Sequence, residues 1–125
     1  MTNTKERVER RKHRRFLVQE GAYVILSPSD TGAGRLKNIS MGGLMFEYVS
    51  LKAPSINATE LEIFVTDSLF RLHQIPCQSV WDLPIYKSPT FSLQKRRCGV
   101  QFGDLSPHQL SRLEYFIQNH TTGEA

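Results

Sequence analysis

Short runs of alternating apolar and polar residues, each ended by a turn cluster, fill this chain until a single helical pattern closes it. Leu44, Phe46 and Tyr48 share one face of a run over 44–49; Leu61, Ile63 and Val65 do so over 61–65, and Cys98, Val100 and Phe102 over 97–102. A period of two is the mark of half-buried strands. Runs at 23–26, 35–40, 69–73 and 74–81 read as further strands. They are separated by Ser27-Pro28 through Gly34, by Gly42-Gly43, by a Pro-, Ser- and Asn-rich loop over 50–59, and by Thr66-Asp67-Ser68. The connection holding Pro84 and Pro89 reads as an extended hairpin tip. The period then changes. Ser106 is placed as an N-cap, Pro107 at the first helical position and Gln109 as the partner in a capping box, with Leu105 and Leu110 at the staple positions. Leu110, Leu113, Phe116 and Ile117 form an apolar stripe at helical spacing, so a helix is predicted over 106–119. Many strands in series followed by one helix with a face to bury predict a small antiparallel barrel whose opening or edge the helix covers.

Charge is placed unevenly. Residues 1–16 hold seven Lys/Arg against two Glu, whereas the remaining nine Lys/Arg face ten Asp/Glu. The chain therefore reads as a basic arm, mobile over 1–10 in the free protein, on a near-neutral single domain over 11–120. Such a layout favours a local anion site over a broadly basic nucleic-acid surface. Cys77 and Cys98, without an apolar leader, are expected as reduced thiols in a cytoplasmic protein. No apolar run reaches the length of a membrane span, so membrane insertion is not expected.

The sequence argues against catalysis. His13, His73, His108 and His120 are scattered, without carboxylates at a recognisable spacing. Ser106 is explained by its capping role. His73 and Cys77 stand four apart on a strand rather than on a helix face, so neither a metal nor a cofactor is expected. Gly32-Ala33-Gly34 opens no helix and carries no phosphate-loop lysine.

Two motifs carry chemistry. The run Arg10-Arg11-Lys12-His13-Arg14-Arg15 places Arg11 and Arg15 four apart, and Asn38-Ile39-Ser40-Met41-Gly42-Gly43 follows across one predicted strand. Arginine forks match phosphate oxygens and the O6/N7 edge of guanine, and they stack on purine faces. The amide of Asn38 and hydroxyl of Ser40 add neutral donors and acceptors. Gly42 and Gly43 let backbone approach a ligand and adopt positive φ. Alone, the first motif reads as a solvated tail and the second as a turn. In this order they can clamp a compact, anionic, guanine-bearing ligand.

On these residues the chain resembles the PilZ domain family of bacterial cyclic di-GMP receptors, in a stand-alone, single-domain form. Arg11 and Arg15 match its Arg-x-x-x-Arg, and Asn38, Ser40 and Gly43 match its Asp/Asn-x-Ser-x-x-Gly. Cys98-Gly99-Val100-Gln101-Phe102, running into Asp104-Leu105-Ser106, is similar to its last barrel strand and closing helix. The resemblance implies a six-stranded antiparallel barrel that binds cyclic di-GMP on its outer surface, the arm folding over it and reporting occupancy to a partner protein. It implies phosphate and guanine-edge contacts from Arg11 and Arg15. Arg10, directly before Arg11, implies two stacked ligand molecules per chain, with Arg14 also in the ligand-ordered arm. Trp81 is either a stacking face beside the site or a core or rim residue. Lys95-Arg96-Arg97 reads as a solvated hairpin flank or as a partner or ligand contact. The rival functions are a nucleic-acid-binding barrel, disfavoured by the core-facing pattern of Phe46, Phe102 and Phe116 and by a body that is slightly acidic, and an adaptor acting only through protein contacts.

Overall fold

A computed structural model describes residues 13–28, 32–51 and 57–125. The strands are β1 (Phe16–Val18), β2 (Ala22–Ser27), β3 (Ala33–Ile39), β4 (Gly43–Ser50), β5 (Glu60–Val65), β6 (Arg71–Lys87), β7 (Gln94–Phe102) and, after helix α1 (Pro107–Asn119), β8 (Thr121–Glu124). Strands β2-β5-β6-β7-β4-β3 pair in that order, and a β2–β3 pairing closes the ring. This is the expected six-stranded antiparallel barrel. Its two outer members, β1 and β8, extend the sheet from β3. The first half of β3 pairs with β2 (Tyr23↔Arg35 to Ile25↔Ala33) and its end with β1 (Leu17↔Asn38, Phe16↔Ile39). One strand thereby serves both the barrel and the added ribbon.

Alternation fills the interior. Val24 and Leu26 from β2, Phe46 and Tyr48 from β4, Leu61 and Ile63 from β5, and Cys98 and Val100 from β7 are all buried. Helix α1 lays Leu113 and Phe116 against this core, both fully buried, with the Phe116 ring 5.3 Å from that of Phe70. The capping box forms as the sequence predicts: the Gln109 N–H donates to Ser106 Oγ at 3.1 Å, and the Ser106 N–H donates to Gln109 Oε1 at 3.0 Å. The same carboxamide ties the helix to the barrel. Its Nε2 donates to the carbonyls of His73 (3.2 Å) and Gln74 (3.0 Å), where Gln74 holds a φ of 54° beside a bulge in β6. Among the described residues no helix is long and apolar enough to cross a membrane.

Three expectations change. The predicted strands at 69–73 and 74–81 are one strand, β6, because the bulge at Gln74 absorbs the break without ending the pairing. The hairpin tip contracts to residues 88–93. Pro84 sits within β6, opposite Arg96 on β7, beyond Pro76, where the pairing of β6 with β5 ends. Its missing N–H is tolerated on that open side. Strands β1 and β8 were not anticipated, being short and, for β8, mostly exposed.

Candidate functional site

A groove of about 630 Å³ opens on the outer surface of the barrel, where the β3–β4 turn, the segment before β1 and the middle of the β6–β7 hairpin meet. Its size falls within the roughly 300–1,000 Å³ of small-molecule sites. His13, Arg15, Asn38, Ser40, Gly43 and Trp81 all line it.

Two bulges turn the groove's side chains outward. On β3, Leu36 pairs with Phe46 and is buried, so strict alternation would send Asn38 inward as well. A shift between Leu36 and Asn38 instead sets Asn38 opposite Met45, while Ile39, opposite Leu44, takes the inner place and is fully buried. On β6, Ser79 pairs with the buried Val100, and a second shift sets Trp81 opposite Gly99 rather than opposite the buried Cys98. One extra residue in each strand re-aims the next side chain.

Trp81 then lies flat on the sheet because Gly99 has no side chain. A Cβ there would stand 2.2 Å from Trp81 Nε1 and 2.3 Å from Cε2. Trp81 remains 36% exposed and lines the groove. It thus stands at the groove and outside the core.

The β3–β4 turn is organised by Ser40. Its Oγ accepts from the N–H groups of Gly42 (3.1 Å) and Gly43 (3.2 Å), while the Ser40 N–H donates to the Gly43 carbonyl at 2.8 Å. Ser40 is buried, 7% exposed, so its first task is to hold the turn. The glycines are needed for space and not for positive φ, which among the described glycines belongs to Gly21, Gly32 and Gly123. A Cβ on Gly43 would fall 2.2 Å from the Val100 carbonyl oxygen of the adjacent strand, and one on Gly42 would meet His13 Cδ2 at 2.7 Å. The N–H of Phe102 donates to the Gly42 carbonyl at 2.9 Å, fastening the turn to β7.

His13 and Arg15 line the groove. Arg14, expected at the ligand, instead pairs with Glu124 and lies 5.9 Å from the Phe16 ring centre. Arg14 is not among the residues that line the groove. The Arg15 guanidinium has no hydrogen-bond or ion-pair partner among the described residues. Arg10 and Arg11 lie outside them.

The second basic cluster is tied into ion pairs, with Lys95 and Arg97 still half-exposed. Arg97 donates to Glu47 Oε2 at 2.7 Å and Lys95 lies 3.4 Å from Oε1. Burial acts to raise the Glu47 carboxyl, but the Arg97 bond and the charges of Lys95 and Lys37 outweigh it and hold the group below its ordinary range. Arg96 Nε donates to Asp82 Oδ1 at 2.9 Å, and the buried Tyr48 hydroxyl donates to Oδ2 of the same carboxylate. Burial and Asp82 together push the Tyr48 phenol well above its usual value. None of Lys95, Arg96 and Arg97 lines the groove, where Arg15 is the one arginine or lysine among the described residues. Burial also pushes both thiols up to about 11, Cys77 and Cys98 alike.

The sequence reading missed His13, Met45 and Gly99 as parts of the groove. Gly99 carried a signal, since a glycine inside a strand marks a close approach.

Comparison with known proteins agrees with this architecture. No curated protein matches the sequence. The solved PilZ domain with c-di-GMP of YcgR from Escherichia coli is similar at a TM-score of 0.61 and 17% identity, over 89% of this chain and 91% of that one. Full YcgR in complex with c-di-GMP (TM-score 0.62, 16% identity) and the K. pneumonia MrkH–c-di-GMP complex (0.62, 16%) match over 87% of this chain. The chain spans 45% and 51% of those two longer proteins. At such identities the likeness is one of fold. Membership is shown by the sequence itself: the family model described as PilZ domain matches residues 9–119, nearly the whole chain, and this protein therefore belongs to the PilZ domain family.

Proposed function

We propose that this chain is a cytoplasmic, non-enzymatic receptor for cyclic di-GMP that reports occupancy to a partner protein through its N-terminal arm. The observation that carries this reading is the meeting, in one groove, of a guanidinium without a partner among the described residues (Arg15), an outward carboxamide (Asn38), a hydroxyl-organised turn (Ser40 to Gly43) and a partly exposed tryptophan (Trp81). A ligand with two phosphates and two guanines uses all four. Arg15 forks onto a phosphate or a guanine edge, Asn38 bonds a base, the bare turn admits a ring, and Trp81 stacks. The solved YcgR and MrkH relatives, named as c-di-GMP complexes, support the same ligand. Arg11 completes the motif with Arg15, and Arg10 supplies the charge for a second stacked ligand molecule.

Calorimetric titration with cyclic di-GMP, beside GMP and GTP, tests the reading. Wild type binds cyclic di-GMP selectively with an endpoint of two per chain, falling to one in Arg10→Ala. Arg15→Ala loses one charge-assisted contact worth about 1.5–3 kcal/mol, a weakening of about 10- to 150-fold. Amide exchange over residues 5–16 slows on binding. Equal affinity of Arg15→Ala and wild type, with the variant folded, would falsify the site. Steeply salt-dependent binding of oligonucleotides in place of cyclic di-GMP transfers the assignment to the nucleic-acid class.

A further inference from the structure

We infer that the C-terminal strand β8 positions Arg15 for its ligand and is in turn held by that ligand, an inference that rests on the cyclic di-GMP reading. The family match ends at residue 119, before β8 begins at Thr121. Strand β1 is three residues long and pairs with β3 at Phe16↔Ile39 and Leu17↔Asn38 only. Its other edge is taken by β8, at Phe16↔Glu124, Leu17↔Gly123 and Val18↔Thr121. The Ala125 N–H donates to the Arg15 carbonyl at 3.0 Å, and the Gln19 N–H donates to the His120 carbonyl at 3.0 Å. The Arg14–Glu124 pair ties the neighbouring side chain to β8. Arg14 is thereby held at β8, while Arg15, whose carbonyl is held by Ala125 directly after β8, lines the groove.

Three of the four β8 residues are exposed, so the strand opens at a fraction of the cost of unfolding the barrel. Docked and undocked β8 are then two states that the ligand can weigh differently. If Arg15 is well placed only while β8 is docked, undocking weakens binding in proportion to the competent fraction lost. By reciprocity, the ligand protects β8 from opening by the same factor.

The test uses the full chain with Glu124→Lys, Ala125→Pro and the two combined. Ala125→Pro removes the N–H that the Arg15 carbonyl accepts. Without ligand, amide exchange at Leu17 and Val18 quickens in the double variant, while that at Ile63 in the barrel is unchanged. With cyclic di-GMP, the double variant binds about three- to tenfold more weakly than wild type, the scale of one hydrogen bond and one exposed ion pair. Saturating ligand slows exchange at Gly123 and Ala125 of wild type by that same factor, which a merely structural strand would not show. Unchanged exchange at Leu17 and Val18 overturns the positioning role. Unchanged affinity in the double variant, or unprotected Gly123 and Ala125 in the complex, overturns the coupling. Failure of wild type to bind cyclic di-GMP removes the receptor reading and the coupling with it, while exchange at Leu17 and Val18 still decides whether β8 positions the segment.

Discussion

Gly99 carries no functional group, so replacing it tests the geometry of the groove by itself. In Gly99→Ala the new Cβ would stand 2.2, 2.3 and 2.7 Å from three atoms of the Trp81 ring, against 3.4 Å or more for an ordinary contact. The ring has to withdraw by more than an ångström. Because Trp81 is 36% exposed, it can lift into solvent without parting β6 from β7. Alanine is at least as well suited to a strand as glycine, so the barrel keeps its melting temperature. What is lost is the platform. Stacking of a base on an aromatic ring is worth about 1–3 kcal/mol, so cyclic di-GMP binds about 5- to 150-fold more weakly. Trp81→Ala costs about as much, and the double variant no more than either, since both remove the same contact. Trp81 is the only tryptophan, so its emission moves to the red in ligand-free Gly99→Ala, and calorimetry gives the affinity. Unchanged emission refutes the packing argument. Shifted emission with unchanged affinity refutes the stacking role, and additive losses refute the shared mechanism.

Gly43→Val meets a backbone oxygen 2.2 Å away. Since β4 and β7 must part to admit it, the cost is about 1–3 kcal/mol. A melting temperature lowered by several degrees is expected for Val and Ala alike, and an unchanged value for Gly43→Ala sinks the close-approach argument. Ser40→Ala removes the acceptor of two amides and lowers stability by about 1–2 kcal/mol in urea unfolding, as well as affinity; a loss of affinity alone would mean that the hydroxyl serves only the ligand. Glu47 has a folded pKa below its ordinary 4.5, so its stabilising contribution is present above that value and fades as pH falls through the folded one. Glu47→Gln should be less stable than wild type at neutral pH and lose less on acidification; parallel stability curves would show that the ion pairs with Arg97 and Lys95 contribute nothing.

Local chemistry determined much of this protein without any help from the fold. Ser106, Pro107 and Gln109 start the helix through bonds spanning three residues, so their meaning is readable in order along the chain. Alternation in β2, β5 and the last residues of β7 likewise marks the core face directly. The two motifs named Arg15, Asn38, Ser40 and Gly43 because phosphate and guanine recognition needs those groups. Which way each side chain points was settled by the tertiary structure. A bulge after Leu36 and another after Ser79 turn Asn38 and Trp81 from the inner face to the groove, and a bulge depends on how two strands register, which no single strand records. The same holds for Arg14 and Arg15. Identical side chains one residue apart are placed differently, Arg14 against Glu124 and Arg15 in the groove, beside a C-terminal strand whose own sequence, Thr-Thr-Gly-Glu, has too little apolar content to announce itself.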